Sequence, residues 1–218
     1  FLDEWIRLTK RMAYWVDLKN PYITYETSYI ESLWWIIKEV WKKGLLVQDF
    51  KVVPYCPRCG TALSSHEVAQ GYKEATDPSI FIRFKIKDAD EKFLVWTTTP
   101  WTLPANVALA VGEEFDYAKV KLGNEILILA KARLEVLDGN YDILKIMKGR
   151  ELLGLQYEPL YPFLKEGTGA YKIVAGDFVS TSDGTGIVHM APAFGEDDLR
   201  VAKANNLPMI MTVDNEGK

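Results

Sequence analysis

Residues 96–106, WTTTPWTLPAN, place four threonines, two tryptophans and two prolines in one short stretch. The run that leads into it, Phe93-Leu94-Val95-Trp96, is apolar and reads as a buried strand. The hydroxyls therefore fall where that strand leaves a core. Pro100 and Pro104 have fixed φ and no backbone N–H, so they end the strand and stiffen the turn after it. Threonine hydroxyls held in such a turn donate and accept hydrogen bonds without adding charge. The plainer alternative is a strand end with surplus hydroxyls.

Working outward from this stretch, period-2 patterning continues on both sides. Ile80, Ile82, Phe84 and Ile86 alternate with Phe81, Arg83 and Lys85, which predicts a strand. Further strands are predicted at 93–98, 106–111, 116–122, 125–130, 171–179 and 185–190. Gly123-Asn124 between two of them is a two-residue hairpin signal. DDLRVAKANN (197–206) reads as a helix with acidic residues in its first turn, where the helix dipole favours them. Many short strands with few helices predict an α+β fold whose main body is a barrel-like β domain.

Before residue 50 the period changes to that of helices. Leu2, Trp5, Ile6 and Leu8 begin one apolar face. Ile30, Leu33, Trp34, Ile37, Val40 and Trp41 form a stronger one. Ser28 with Glu31 predicts a capping-box start for this second helix, and Gly44 after Lys42-Lys43 predicts its stop. Trp34, Trp35 and Trp41 are expected to pack in a core. The resulting division is a helical segment at 1–48, a cysteine-bearing connector at 49–75 and a β domain at 76–218. The chain starts at Phe1 and ends on the turn-like VDNEGK, so a piece of a longer protein, cut short at its C-terminal end, is expected.

The 218 residues carry a formal net charge of −4, with 48% hydrophobic and 26% charged residues. This balance excludes a general polyanion binder, so any RNA contact must be local. No apolar run reaches the ~18–20 residues of a membrane span, and the expected setting is the cytosol.

The only two cysteines stand as Cys56-Pro-Arg-Cys59. A redox pair of this spacing would open a helix after a strand. Here Gly60 and the polar TALSSHE follow, which resembles a zinc knuckle. A structural zinc takes four ligands, and the chain offers Cys56, Cys59 and at most His66, so these residues read as a half-site or as two unliganded cysteines.

The second histidine, His189, lies in GTGIVHMAPAFGEDD (184–198), where a short strand runs into a Pro/Gly loop and then a helix. Gly184 and Gly186 permit close backbone approach or positive φ. G-x-G-x-x-H is not a dinucleotide fingerprint. A histidine here is either a satisfied structural residue or a functional one. No serine or cysteine has the context of a nucleophilic triad, so water is the nucleophile if anything is hydrolysed. Asp198 closes an acidic triplet with Glu196 and Asp197; it either caps the helix or pairs with a substrate ammonium group.

WTTTPWTLPAN and GTGIVHMAPAFGEDD, in that order, closely resemble the paired editing-site motifs of the isoleucyl-tRNA synthetase family. YCPRCGTALSSHEVAQGY (55–72) resembles the cysteine knuckle before that family's editing insertion. MAYWVDLKNPYITYETSYIESLWWIIKEVWKKGLL (12–46) resembles the catalytic-core stretch before the knuckle. The valyl and leucyl relatives usually carry arginine where this chain has Thr99.

The resemblance implies a class I synthetase segment carrying connective peptide 1, the editing domain inserted in a Rossmann-type core. Its implied reaction is hydrolysis of valine misjoined to isoleucine tRNA, and of valyl-adenylate. The implied need is physical: one missing methylene is worth only about 1–3 kcal/mol of discrimination, a limit for which this family is the standard illustration. By resemblance, Thr97 and Thr99 bind the adenosine end of the substrate and place the water. Thr98 belongs to the same substrate-binding peptide, and Trp101 shapes the adenosine site. Thr102 and His189 line the side-chain pocket, and Asp198 holds the α-ammonium group. Thr99, Asp198 and His189 form the implied catalytic set.

The implied partners are the aminoacyl 3′ end of the isoleucine tRNA and valyl-adenylate, with a monomer expected. Editing needs no cofactor. Zinc at Cys56 and Cys59, and ATP with magnesium, belong to the full-length enzyme. The adenylation motifs H-x-G-H and K-M-S-K-S do not occur in the chain. Two other readings stay open: a non-catalytic RNA-binding or structural zinc module, and valyl-type editing of threonyl-tRNA.

Overall fold

The computed structural model describes residues 1–161, 163 and 169–218. The chain divides into two compact units, Phe1–Phe50 and Lys51–Lys218. Residues 51–75 of the cysteine connector belong to the second unit.

The first unit holds α1 (Leu2–Arg11) and α2 (Thr27–Lys42), and neither helix buries a residue. Trp34, Trp35 and Trp41 are 64%, 62% and 69% exposed, against the expectation of core packing. Two short helices carry apolar stripes but supply no opposing layer within this unit. The helix start also differs from expectation. Glu26, extended at φ −71° and ψ 144°, is the N-cap and makes no side-chain cap, so Ser28 already lies inside the first turn. The stop is as expected: Gly44 takes φ +68° just past the helix.

The second unit begins with an antiparallel ribbon of β1 (Tyr55–Cys56) and β2 (Thr61–Ala62). α3 (Ser65–Gln70) follows, opened by a true capping box between Ser64 and Glu67. The main body holds β3 (Ile80–Lys85), β4 (Glu91–Thr97), β5 (Ala108–Val111), β6 (Asp116–Leu122), β7 (Glu125–Ala130), β8 (Tyr141–Lys148), β9 (Lys172–Ala175) and β10 (Ile187–Met190). They form a five-stranded sheet in the order β3-β4-β7-β6-β8 and a three-stranded sheet in the order β10-β5-β9. α4 (Glu196–Ala204) follows the last strand.

The mixed α+β class holds. The strands described do not close into a barrel but pack as two sheets, whose inner faces meet in one core. Phe84, Phe93, Val95 and Ile128 of the larger sheet share it with Leu109, Val111, Ile173 and Ile187 of the smaller. Each such side chain contributes about 1.5–3 kcal/mol on burial. A second cluster packs Ala110, Val174 and Met190 against Val201 of α4.

Leu122 pairs with Glu125 across the Gly123-Asn124 turn, confirming that hairpin, with Gly123 at φ +58°. β9 is shorter than the expected strand because the chain turns at Gly176, whose carbonyl accepts the Val179 N–H. β8 was not among the strands legible from the pattern. The register passes from Lys119 opposite Lys145 to Val120 opposite Ile143, so Leu144 is a bulge that breaks strict alternation.

No helix among the described residues is long and apolar enough to cross a membrane.

Candidate functional site

The two long motifs lie far apart in sequence and are joined by one ladder. β4 delivers Thr97, the 3₁₀ turn Pro100–Ala105 follows, and the chain then enters β5. β5 pairs antiparallel with β10, setting Ala108 opposite Met190 and Leu109 opposite His189. Two glycines of the second motif allow this close packing. A Cβ on Gly186 would lie 2.4 Å from that of Ala130, and one on Gly184 would lie 2.8 Å from the Trp96 ring; both residues have positive φ.

A cavity of about 180 Å³ opens at this junction, and Thr97, Thr99, Thr102, His189 and Asp198 all line it. Trp96, Val188 and Phe194 complete its apolar walls. Cavities of about 490 and 640 Å³ lie elsewhere in the second unit, but neither gathers these polar groups.

The polar groups are held by a continuous hydrogen-bond chain. The Thr97 hydroxyl accepts the Thr99 N–H at 3.1 Å and lies 3.3 Å from the Thr99 hydroxyl. The Thr102 hydroxyl donates to the Thr99 carbonyl at 2.9 Å and lies 2.8 Å from His189 Nε2. On the other side of the ring, Asn106 Nδ2 lies 2.8 Å from His189 Nδ1 and donates to the Ala108 carbonyl at 2.9 Å. That carbonyl fixes the amide orientation, since it can only accept. Tyr157 then donates to Asn106 Oδ1 at 2.6 Å.

These roles assign the imidazole. An NH₂ faces Nδ1, so Nδ1 accepts, the proton sits on Nε2, and Nε2–H donates to Thr102. Both ring nitrogens are engaged within the protein. Burial pushes the His189 pKa down to about 4, so the ring is neutral near pH 7. His189 accordingly has the geometry of a fixed wall and donor, and no bare nitrogen remains to act as a base.

Asp198 occupies the first turn of α4 but does not cap it. Its Oδ2 accepts the N–H of Ala191, in the loop before the helix, at 2.9 Å. No cation pairs with it among the described residues, whereas the neighbouring Asp197 is engaged by Arg200. Burial raises the Asp198 pKa, the Ala191 N–H opposes that rise, and Asp197 adds to it. A half-buried carboxylate without a cation is a ready acceptor for an ammonium group.

Two of the expected substrate-binding residues of the threonine peptide lie outside this cavity. Thr98 lines a neighbouring hollow of about 250 Å³ with Ser180, Asp183 and Thr185. Trp101 is half exposed and meets Phe194 edge-to-face, with ring centroids 5.0 Å apart. Phe194 lines the cavity itself, so Trp101 supports that wall from behind. Asn106 and Tyr157 were not singled out by sequence reasoning. Asn106 ends the quoted stretch, and a buried amide just before a strand was the available signal; Tyr157 carries no local one.

At the ribbon, the backbone N–H and thiol of Cys59 hold the Cys56 thiol below its usual pKa. The Cys59 thiol is in turn pushed up by its hydrogen bond with Cys56, so the two share one readily lost proton. His66 does not join them; its ring lies 2.7 Å from the Gln70 amide on α3. Among the described residues no third ligand completes a metal cluster.

Over residues 1–203 the chain matches the family described as tRNA synthetases class I (I, L, M and V). It is 56% identical over 216 residues to the isoleucine–tRNA ligase of Clostridium tetani, covering 98% of this chain and 21% of that protein. Identity to the isoleucine–tRNA ligase of Thermus thermophilus is 52% over 223 residues, covering 99% of this chain and 21% of that protein. The chain thus spans about a fifth of the length of these curated relatives. Among solved structures, the editing domain of P. knowlesi cytosolic leucyl-tRNA synthetase is similar with a TM-score of 0.48 and 17% identity, covering 62% of this chain and 66% of that one. Because the family match runs through both units and through every residue that lines the cavity, the chain belongs to the class I tRNA synthetases (I, L, M and V).

Proposed function

We propose that this chain carries the hydrolytic editing site of an isoleucyl-tRNA synthetase, which deacylates valyl-tRNA(Ile) and hydrolyses valyl-adenylate by attack of water. The observation that carries this reading is the convergence of Thr97, Thr99, Thr102, His189 and Asp198 on one cavity of about 180 Å³. That volume falls below the roughly 300–1,000 Å³ of ordinary ligand pockets, so it suits an amino-acid side chain rather than a whole nucleotide.

In the proposed reaction the Asp198 carboxylate receives the substrate's α-ammonium group, which positions the ester. The aliphatic side chain enters against Val188, Thr102 and His189. The Thr102 hydroxyl donates to the Thr99 carbonyl and the His189 ring donates to Thr102, so this wall offers no free donor beside an entering methyl group. Thr97 and Thr99 hold the ribose and the attacking water at the open end. Thr98 and Trp101 act on the adenosine side. The site supplies orientation and charge pairing, with no protein nucleophile and no metal.

The parent enzyme would join isoleucine to its tRNA with ATP and magnesium as a cytoplasmic monomer, with zinc held by Cys56, Cys59 and ligands from outside this chain. On the alternative, non-catalytic reading Asp198 would only cap α4; its Oδ2 accepts the Ala191 N–H.

The test is release of valine from valyl-tRNA(Ile) by the full chain. Release above the spontaneous rate, abolished in Asp198→Ala, is expected. No release above background would favour the RNA-binding or zinc module. Faster release of threonine from threonyl-tRNA(Val) would favour valyl-type editing. Undiminished hydrolysis by Asp198→Ala would overturn the site, and hydrolysis of N-acetyl-valyl-tRNA at the normal rate would remove the ammonium anchor.

A further inference from the structure

Tyr157 lies outside both motifs, between strands, and lines no part of the cavity, yet its hydroxyl is the outer end of the hydrogen-bond chain that reaches Thr99. Its ring is 2% exposed and packs edge-to-face on Phe84 at 5.2 Å. The backbone sets its place through an antiparallel bridge to Ile86 and an N–H donated to the Tyr171 carbonyl at 3.0 Å. From there the hydroxyl donates to Asn106 Oδ1 at 2.6 Å, while the Ala108 carbonyl receives the Asn106 NH₂ at 2.9 Å. The amide is thus gripped at both ends, and its second N–H faces His189 Nδ1.

We propose that Tyr157 is a positioning residue, which with the Ala108 carbonyl clamps the Asn106 amide so that His189 keeps its proton on Nε2 and the cavity wall keeps its direction of donation. The inference rests on the editing reading for its kinetic consequence, but not for its structural content. With Nε2–H donating, the Thr102 hydroxyl is free to donate to the Thr99 carbonyl, which braces the residue proposed to hold the water. In the opposite tautomer Nε2 would accept from Thr102, and the Thr99 carbonyl would keep only the Thr102 N–H, at 3.1 Å, so the turn at 97–99 would lose one of its two braces. Tyr157 therefore acts on Thr99 through three side chains in series, Asn106, His189 and Thr102, without touching substrate.

Two variants test this. Tyr157→Phe removes one oxygen and leaves the ring packing in place. Asn106→Asp replaces the NH₂ with an acceptor and forces the proton onto Nδ1. The ring nitrogens are read by long-range proton–nitrogen correlation in the full chain, where only His66 and His189 contribute. The wild type should show His189 as a single Nε2–H tautomer, Tyr157→Phe a mixture of the two, and Asn106→Asp an Nδ1-protonated ring. Turnover of valyl-tRNA(Ile) by Tyr157→Phe should fall about tenfold or more in kcat, with KM within about twofold, because orientation is lost and binding is not. A merely structural tyrosine would lower stability and leave tautomer and kcat alone. A wild-type ring protonated on Nδ1 would overturn the clamp, as would a Tyr157→Phe variant with a single Nε2–H ring and unchanged kcat. Wild-type protein without deacylase activity would sink the editing reading instead, and the nitrogen spectra would still decide the clamp. Should Asn106→Asp fail to fold, Tyr157→Phe carries both readouts.

Discussion

The first unit, Phe1–Phe50, and the second, Lys51–Lys218, carry equally clear hydrophobic patterns and meet opposite fates. α2 has an amphipathic stripe with three tryptophans, yet not one of its residues is buried. β4 is a shorter element, and four of its seven residues, Phe93, Leu94, Val95 and Thr97, are buried. The difference lies in what faces each stripe. β4 has β3 and β7 beside it and the smaller sheet across from it. α2 has only one other short helix in its unit. Periodicity specifies the element and its apolar face, whereas burial requires a second layer.

The largest expected effect follows from this contrast. Phe93→Ala empties a fully enclosed position shared by both sheets, and should cost about 3–5 kcal/mol in urea unfolding. A loss below 1 kcal/mol would mean the two sheets do not share a core.

Next is the pH dependence written into His189. Its folded pKa is depressed to about 4 by burial, against the ordinary value of 6.5. The unfolded chain therefore takes up a proton first as pH falls. The stability that His189 contributes is complete above pH 6.5 and is lost as pH drops towards 4, by up to about 3 kcal/mol. Urea midpoints measured from pH 7 to pH 4 should show this fall, and His189→Asn should flatten it. An imidazole titrating near 6.5 by NMR would contradict the buried network.

Asp198 behaves in the opposite sense. Burial raises its pKa, so the ionised form burdens the folded state, and its contribution to stability declines as pH rises through that raised value. Asp198→Asn keeps an acceptor for the Ala191 N–H and removes the charge. Deacylation should fall about 100-fold with loss of the charge pair, while the urea midpoint at pH 7 stays level or rises, by at most about 1 kcal/mol. A variant that is both less active and markedly less stable would turn Asp198 into a structural residue.

The smallest effect is expected in the first unit. Trp34→Ala removes a side chain already 64% exposed and should change the stability of this chain by less than about 0.5 kcal/mol. A cost approaching that of Phe93→Ala would break the comparison, because it would show that the tryptophan face is covered in solution.

Much of the β domain was legible because period-2 alternation survives wherever one face is buried and the other wet. β3 follows that pattern, β4 and β7 stood out instead as continuous apolar runs because both their faces are covered, and the turn at Gly123-Asn124 marked a hairpin. β8 escaped because the bulge at Leu144 shifts the alternation partway along the strand. The capping box predicted at Ser28 failed, since Glu26 had already turned the chain into the helix, while the box at Ser64 and Glu67 went unread within a polar stretch. At the site, the threonines, His189 and Asp198 were marked by their two motifs. Tyr157 was not, because its part depends on a bridge to Ile86 that no local pattern encodes.

By itself, then, the sequence determined the elements, the proline-stiffened turn, the glycines that admit close strands, and the polar residue types gathered in two segments. These follow from local sterics and from the period of the apolar residues. Only the tertiary structure decided that the segments face one another across the β5–β10 ladder, that Thr98 and Trp101 stand outside the cavity, and that His189 is a neutral wall rather than a base. Those outcomes depend on burial and on partners far away in the chain. A histidine's proton goes where its neighbours leave room for it, and here those neighbours are Asn106 and Thr102.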